Sequence, residues 1–244
     1  MLKLAIIIPF FNEELRIGEG KYLKELSSKL DADFFYVNDG STDNTKSKLE
    51  ELSHTTRARI VNLAVNSGKG EAIRAGLLQA TKIGNYDAVG YLDADGAFPV
   101  SEVVRSLELA KSTFLSMPKI EIFIASRIKL AGKDINRSPV RHYLSRLIIT
   151  LIGLRTKNMP YDSQSGLKFF RTSDALTEAI SDSFRTRWFF DLELMSRLGM
   201  QKRDCIWEEP VNSWSDIKGS KIGLSSIFSI AKELWAVIRI LSRD

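Results

Sequence analysis

The sequence is poor in the residues that form disulfides and histidine-based sites. It contains one cysteine, Cys205, and two histidines, His54 and His142, in 244 residues. A single cysteine excludes an intrachain disulfide and fits a reducing compartment, and we expect it to lie in the core. The histidines stand in no suggestive setting, which argues against a Ser-His-Asp hydrolase, because that chemistry needs a histidine base.

Long apolar runs are also missing. The apolar stretches are far shorter than the ~20 residues that a helix needs to cross a bilayer. The apolar start from Leu4 to Phe11 has only Lys3 before it and no small-residue cleavage site after it, so we expect no signal peptide. We therefore expect a cytoplasmic protein that is soluble or makes peripheral contact with the cytoplasmic face of the membrane.

Two common nucleotide-binding fingerprints are absent. No Gly-x-Gly-x-x-Gly follows the first apolar run, which argues against a dinucleotide-binding motif. The segment from Asn66 to Gly70 has glycines and a lysine, but a P-loop needs Ser or Thr where Gly70 stands and Gly where Leu63 stands. The net charge of +5 favours anionic partners, namely nucleotides, phospholipid surfaces or nucleic acid, without choosing among them.

The strongest positive feature is an apolar run from Ala88 that ends in two carboxylates, Asp93 and Asp95. Side chains at i and i+2 of an extended chain point the same way, and here they lie just past the carboxyl end of a strand, where open α/β sheets bind ligands. Two oxygen donors without nearby His or Cys suit Mg²⁺ or Mn²⁺. One alternative is that the two aspartates only cap a turn. Another is a calcium loop, but Val104 stands where such a loop needs its closing Glu.

Apolar runs alternate with helical periodicity over the first half of the chain. Strands are predicted at 4–9, 34–37, 59–63, 88–93 and 120–125, and a helix is predicted after each of the first four. This alternation indicates an α/β fold, a mainly parallel sheet with helices on both faces. A strand is further predicted at 165–171, a helix at 188–198, a last strand at 203–207 and an amphipathic helix at 224–241.

The alternation of strands and helices stops at Ser126. The stretch from Tyr143 to Leu154 is apolar and has basic residues on both sides. It is too short to span a bilayer, and it either lies in a membrane interface or packs as a core helix. Without a repeat or linker to mark a boundary, we assign residues 1–222 to one domain. Residues 223–244 then form a C-terminal amphipathic helix packed on that domain or on a membrane surface.

The loops carry a series of short motifs in a fixed order: IIIPFFNEE, VNDGSTDNT, NSGKGEAIRAG, YLDADG and ASR. Together they resemble the inverting family 2 glycosyltransferases with the GT-A fold. Three later motifs, DSQSGLKFF, RWFFDLEL and GSKI, are similar to the branch that transfers glucose or mannose to polyprenyl phosphate, most of all to the dolichyl-phosphate β-glucosyltransferases. The resemblance covers about residues 4–222 but does not match the acceptor-contacting segment position by position, and the membrane anchors common in that branch have no counterpart here.

The resemblance implies a metal-dependent hexosyltransferase that uses Mg²⁺ or Mn²⁺. It implies no nucleic-acid partner. Its donor would be UDP-glucose or GDP-mannose, and its acceptor a polyprenyl phosphate. Asp95, with Asp93 beside it, would hold the metal that bridges the diphosphate. By the same resemblance the nucleotide-sugar contacts are Pro9, Phe11, Glu13, Asp39, Gly68, Lys69, Asp93, Ser220 and Lys221.

The resemblance also supplies candidates for catalysis and for the acceptor. Arg127, Arg137 and Arg141 would clamp a phosphate, a task that suits the guanidinium fork. Gln164 would hydrogen-bond the transferred sugar or its phosphate, and Asp191 would be the general base that a hydroxyl acceptor requires. Each role has a plainer alternative: turn chemistry for Asp39, an exposed helix-start lysine for Lys69, a solvated basic face for the arginines and a helix N-cap for Asp191.

Three rival functions stay open at this point. The first is transfer to a glycan or other hydroxyl acceptor, which the missing anchor favours. The second is a non-catalytic binder of nucleotide sugars, which the presence of Asp93, Asp95 and Arg127 disfavours. The third is a sugar nucleotidylyltransferase, which would carry a Gly-rich loop where Pro9 to Glu14 stand.

Overall fold

A computed structural model describes residues 2–137, 146, 149–153, 158–200, 204–217 and 225–241. Three residues of the predicted site, Arg141, Ser220 and Lys221, lie outside the described residues. So does much of the apolar stretch from Tyr143 to Leu154, of which residues 149–153 are helical.

The main sheet has seven strands in the order β3-β2-β1-β4-β7-β5-β8. They are β1 (Leu4–Phe10), β2 (Asp33–Asp39), β3 (Arg59–Leu63), β4 (Ala88–Leu92), β5 (Ile122–Ser126), β7 (Leu167–Arg171) and β8 (Ile206–Pro210). A separate two-stranded sheet pairs β6 (Asp134–Asn136) with β9 (Ser213–Ser215). The helices are α1 (Glu14–Ile17), α2 (Lys21–Lys29), α3 (Thr45–Thr56), α4 (Lys69–Ile83), α5 (Val100–Ser116), α6 (Asp174–Ala179), α7 (Phe190–Arg197) and α8 (Ser225–Leu241).

All neighbours in the main sheet are parallel except β7, which runs antiparallel to both β4 and β5. This confirms the predicted α/β fold with a mainly parallel sheet. The reversal of β7 places its first residue, Leu167, opposite Leu92, the last residue of β4. The segment that leads into β7 therefore lies at the same edge of the sheet as the residues that follow β4.

The core lies on both faces of the sheet, because successive side chains of a strand point to opposite sides. Leu4, Ile6 and Ile8 of β1 belong to one buried cluster, while Ala5 and Ile7 belong to the other. The first cluster includes side chains of α2, α3 and α5, and the second includes side chains of α4, α7 and α8.

The C-terminal helix α8 packs on the domain through part of its surface. Val237 and Leu241 are buried in the second cluster, whereas Trp235 is 61% exposed. The lone cysteine, Cys205, is buried and forms no disulfide, as expected. Among the described residues, no helix combines the length and the apolar character that crossing a membrane requires.

Several element boundaries differ from the sequence prediction. The helix predicted to start at 188 begins at Phe190, and the last sheet strand runs from Ile206 to Pro210, later than 203–207. The elements β6, β9, α1 and α6 were not predicted. They are short, from three to six residues, and show too few periods for a pattern to be recognised.

Candidate active site

The two carboxylates of the YLDADG motif lie directly after β4, at the carboxyl edge of the sheet. The Asp93 N–H donates to the carbonyl of Gly166 at 2.8 Å, so the chain after β4 stays tied to the segment before β7. Asp95 Oδ1 accepts from the N–H of Ala97 at 3.0 Å, which closes a turn. Burial raises the pKa of Asp95, and the charge of Asp93 raises it further. Such crowding of negative charge favours a bound cation.

Lys69, the first residue of α4, points at this carboxylate pair. Its Nζ lies 2.6 Å from Asp93 Oδ1 and 5.9 Å from the centre of the Phe190 ring. The Lys69 side chain is 42% exposed, so desolvation lowers its pKa only weakly, and the charges of Asp93 and Asp191 raise it. A positive charge thus lies beside the acidic pair.

Gly166 allows Asp93 to approach the segment before β7. A Cβ atom built on Gly166 would lie 2.3 Å from Asp93 Oδ2, far inside van der Waals contact. No other residue type fits there unless the carboxylate moves. The glycine of the DSQSG stretch therefore belongs to the site through its lack of a side chain.

Asp39, predicted to contact the nucleotide, is 2% exposed and binds the chain between β3 and α4. Its carboxylate accepts from the N–H groups of Ser67 at 2.7 Å and Gly68 at 2.9 Å, and from the Asn66 side chain at 3.3 Å. Gly68 has φ +93°, a region that glycine readily adopts. Asp39 thus sets the position at which α4 and Lys69 begin.

The first two loops of the sheet edge are joined by side-chain hydrogen bonds. Asn12 accepts from the Thr42 N–H at 2.9 Å and donates its own N–H to Ser41 Oγ at 3.1 Å. Glu13 pairs with Arg16 at 2.7 Å. The predicted nucleotide contacts Pro9, Phe11 and Glu13 are half-buried on this joined surface.

Arg127, predicted to clamp a phosphate, forms a bidentate ion pair with Asp162. Its Nε and Nη2 donate to the two carboxylate oxygens at 2.7 Å each, and Nη2 also donates to the Gln164 carbonyl at 2.9 Å. Burial would raise the pKa of Asp162, yet the Arg127 charge and hydrogen bonds hold it at about 2. The guanidinium also lies 5.1 Å from the centre of the Trp214 ring. Arg127 is therefore held rigidly rather than extended into solvent.

Arg137 and Gln164 lie close to Arg127. Burial lowers the pKa of Arg137, and the positive charge of Arg127, which lies within electrostatic range, lowers it further. The Gln164 side chain donates to the Trp188 carbonyl at 3.3 Å. The structure thus brings together two of the three predicted arginines.

Asp191 is 5% exposed, and its Oδ1 forms an ion pair with Lys168 Nζ at 2.9 Å and accepts from the Tyr91 hydroxyl. It caps no helix, because α7 has Phe189 at its N-cap and no side-chain cap bond. Burial lowers the pKa of Lys168, and Asp191 opposes that shift.

Sequence reasoning missed Asp162, Gly166 and Lys168. The sequence does contain an indication of Lys168, because an ionisable residue inside a strand of buried apolar residues needs a partner. Asp162 and Gly166 stand in the matched DSQSG stretch. Their partners Arg127 and Asp93 are distant in sequence, so the pairs show only in the folded chain.

The donor set at the acidic pair fits a magnesium or manganese ion. Across the part of the chain that the structure describes, no group of three or more His, Cys, Asp and Glu side chains converges. Two carboxylates and no nitrogen or sulfur donor match an ion that takes water and substrate phosphates as its remaining ligands. Asp95 and Asp93 are the residues that would hold it.

Comparison with known proteins adds a family match and a set of relatives. The model of the family "Glycosyl transferase family 2" matches residues 5–117. A dolichyl-phosphate beta-glucosyltransferase of Trichomonas vaginalis is 33% identical over 95% of this chain and 71% of its own length. The dolichyl-phosphate beta-glucosyltransferase of Saccharomyces cerevisiae is 31% identical over 95% and 72%, and that of Homo sapiens is 31% identical over 90% and 69%.

Solved structures show the same fold at lower sequence identity. Glucosyl-3-phosphoglycerate synthase from Mycobacterium tuberculosis, in complex with phosphoglyceric acid, aligns with a TM-score of 0.65 at 19% identity, covering 97% of this chain and 79% of that one. The same enzyme crystallised with Mn²⁺, UDP-glucose and phosphoglyceric acid gives a TM-score of 0.65 at 18% identity, over 97% and 78%.

Proposed function

The chain belongs to glycosyl transferase family 2 and is a glycosyltransferase, and we propose that it transfers glucose from UDP-glucose to a polyprenyl phosphate of the dolichyl type. The transfer is metal-dependent and inverts the anomeric configuration, giving a β-linked product in a single displacement. Asp93, Asp95, Lys69 and the Arg127 region supply the site.

One observation carries the proposal: Asp93 and Asp95 stand at the carboxyl end of β4 with Lys69 Nζ 2.6 Å from Asp93. This is where open α/β sheets bind ligands, and it combines oxygen donors for a cation with a cation for phosphate. Glucose and the lipid phosphate are inferred from the names of the relatives, which match 90–95% of this chain. UDP is inferred from the crystallised neighbour.

Asp95 and Asp93 would hold a divalent ion on the donor half of the site. When bound, that ion would supply positive charge to stabilise the leaving diphosphate. Lys69 adds a fixed positive charge beside Asp93. The raised pKa of Asp95 supports this assignment, because a carboxylate crowded by another negative charge gains most from a bound cation.

The acceptor half uses fixed cations. Because Asp162 holds two of its nitrogen atoms, Arg127 contributes a positioned positive charge rather than a mobile clamp. Arg137 lies close enough to add to it. Together they favour an acceptor that carries negative charge, and a phosphate monoester is largely dianionic at pH 7.

The environment of Asp191 favours a phosphate acceptor over a hydroxyl acceptor. A phosphate dianion attacks without losing a proton, whereas a hydroxyl needs a general base. Asp191, the base candidate, accepts from Lys168 and Tyr91 through the same oxygen, so two donors already occupy the atom that would take a proton from a hydroxyl acceptor.

A transfer assay tests this function. The protein is incubated with Mn²⁺, radiolabelled UDP-glucose and a short polyprenyl phosphate, and label is measured in the organic phase. We expect a β-linked glucosyl lipid, little transfer from GDP-mannose, and no turnover in excess EDTA. Label on polyprenol or on oligosaccharides, with none on the phosphate, would instead establish the hydroxyl-acceptor function.

The variant Asp95→Asn tests the metal. It keeps the size of the side chain and the hydrogen bond to Ala97 but removes the charge that holds the ion. We expect turnover to fall by at least about 10³-fold, a loss comparable to that of one strong electrostatic contact in the transition state. The melting temperature should stay within about 2 °C, since Asp95 forms no ion pair among the described residues. Full activity of this variant would contradict the assignment.

A further inference from the structure

Lys168 is a buried lysine whose three donors are all used. Its side chain is 0% exposed, and it is the second residue of β7. Nζ donates to Asp191 Oδ1 at 2.9 Å, to the Tyr91 hydroxyl at 2.8 Å and to the Ser165 carbonyl at 2.5 Å. An ammonium group has three N–H donors, so each has one acceptor here. Neither the sequence motifs nor the proposed reaction gives this residue a role.

Two of the three acceptors, Tyr91 and Ser165, belong to the backbone segments that position Asp93. Tyr91 precedes Asp93 by two residues on the strand that Lys168 pairs with. Ser165 is joined to Gly166, whose carbonyl accepts the Asp93 N–H and whose Cα leaves no space for a Cβ beside Asp93 Oδ2. A shift of the Ser165 carbonyl would therefore move the backbone against which the Asp93 carboxylate rests.

The third acceptor, Asp191, carries a negative charge that affects Lys69. Lys69, which pairs with Asp93, also lies within the electrostatic range of Asp191. Without Lys168, Asp191 would be a buried carboxylate that competes with Asp93 for Lys69. The charged and titratable groups that act on Asp191 are Lys168 on β7, Tyr91 on β4, Lys69 on α4 and Arg127 after β5.

We propose that Lys168 is a positioning residue: by holding Ser165, Tyr91 and Asp191 together, it sets the position of the Asp93 carboxylate and keeps Lys69 paired with it. Lys168 touches neither donor nor acceptor and acts through Asp93. The catalytic consequence rests on the proposed function, but the positioning itself is a property of the protein alone.

Amide hydrogen exchange at Asp93 tests the positioning without any ligand. In Lys168→Met the Asp93–Gly166 hydrogen bond should open more often, but the unpaired Asp191 also destabilises the whole protein. The informative variant is therefore Lys168→Met combined with Asp191→Asn, which removes both charges. We expect the Asp93 amide to exchange at least about tenfold faster than in the native protein, while amides of β2 keep their rates.

Stability separates the charge from the geometry. In Lys168→Met alone, Asp191 stays buried without its counter-charge, so the melting temperature should fall by about 10 °C. Adding Asp191→Asn should recover most of this loss yet leave the Asp93 amide fast.

Lys111 provides the matched control. It is a second buried lysine, 7% exposed at its side chain, paired with Glu108 at 3.2 Å on α5. Lys111→Met should lower stability without a selective change at Asp93. If the double variant fails to fold, Lys168→Arg replaces it: it keeps the charge, but a planar guanidinium cannot donate to the same three acceptors. An Asp93 amide that exchanges at the native rate in a folded Lys168 variant overturns the proposal.

Activity then links the positioning to catalysis. In the double variant we expect kcat/KM for the donor to fall by on the order of 10²-fold, as expected for a misplaced catalytic contact. A fast Asp93 amide in a variant with native kcat/KM would overturn the catalytic consequence. If the native protein shows no transfer while the amide result holds, the proposed function fails and the positioning stands.

Discussion

Arg127 is bound in the structure by Asp162, a residue with no role predicted from the sequence. The sequence predicted that Arg127 clamps a phosphate, with a solvated basic face as the alternative. In the structure the Arg127 side chain is 12% exposed, and two of its nitrogens donate to a carboxylate whose side chain is 4% exposed. Breaking a buried pair by removing one partner typically costs about 3–5 kcal/mol, because a charge stays buried without its partner. The pair therefore matters to stability as well as to the proposed acceptor side of the site.

The Asp162 carboxylate gives a prediction for acid stability. Its pKa is about 2 in the folded protein, against ~3.9 when unfolded. A lowered folded pKa means that the contribution is complete above pH ~4 and is lost as the pH falls toward 2, and it amounts to about 2–3 kcal/mol. Urea unfolding of the native protein and Asp162→Asn should therefore show a stability gap at pH 6 that narrows by about 2 kcal/mol toward pH 2.5, where part of the contribution is still present. A gap that stays constant over this range would show that the pair does not lower the pKa.

Helix α4 depends at its start on a carboxylate from a neighbouring strand. The helix has Gly68 at its N-cap and no side-chain cap bond of its own. Asp39, the last residue of β2, accepts from the Ser67 and Gly68 N–H groups instead. This arrangement fixes the first turn of the helix, and with it the reach of Lys69 to Asp93.

Asp39→Ala should therefore cost both stability and donor binding. We expect a loss of about 1–2 kcal/mol, similar to the loss of a helix cap, and weaker binding of UDP with Mn²⁺ because Lys69 is no longer held. Chemical unfolding and titration calorimetry measure the two effects.

The matched control is Ser173→Ala. Ser173 Oγ caps α6 by accepting from the Leu176 N–H at 3.1 Å, and it lies just beyond β7, at the opposite edge of the sheet. The Ser173→Ala variant should lose a comparable amount of stability and keep the native affinity for UDP. Native UDP affinity in Asp39→Ala would mean that the carboxylate neither holds Lys69 nor contacts the nucleotide.

At the scale of the whole molecule, the proposed lipid acceptor calls for a surface that contacts a membrane. Helix α8 buries Val237 and Leu241 against the domain and exposes Trp235, on which Arg239 stacks at 4.2 Å from the ring centre. A tryptophan with a neighbouring cation suits the boundary of a membrane. The net charge of +5 adds attraction to anionic lipid.

We therefore expect the protein to sediment with anionic vesicles and to be released in part by salt, because electrostatic attraction of about 1 kcal/mol per basic residue is screened. Trp235→Ala should weaken this binding while the melting temperature stays the same. Val237→Ala, which changes a buried residue of the same helix, should lower the melting temperature and leave vesicle binding intact. Equal absence of binding to neutral and anionic vesicles at low salt would favour a helix that serves only the fold.

The sequence alone determined the α/β class, the mainly parallel sheet and the place of Asp93 and Asp95. These follow from local patterns: apolar runs of strand length, helical periodicity between them, and carboxylates two positions apart at the end of one run. The family resemblance rests on loops of the same kind, because each motif is one continuous stretch of sequence. The nucleotide roles of Pro9, Phe11 and Glu13 stay predictions.

Tertiary structure decided the partners of the site residues. Arg127 and Asp162 are separated by 35 positions, Tyr91 and Asp191 by 100, and Lys168 and Tyr91 by 77. No periodic pattern connects such residues, and only the antiparallel placement of β7 beside β4 brings Gly166 to Asp93 and Lys168 to Tyr91. A carboxylate's pKa, a lysine's burial and the space beside a glycine are properties of neighbours in space, so they arise only when the sheet has formed.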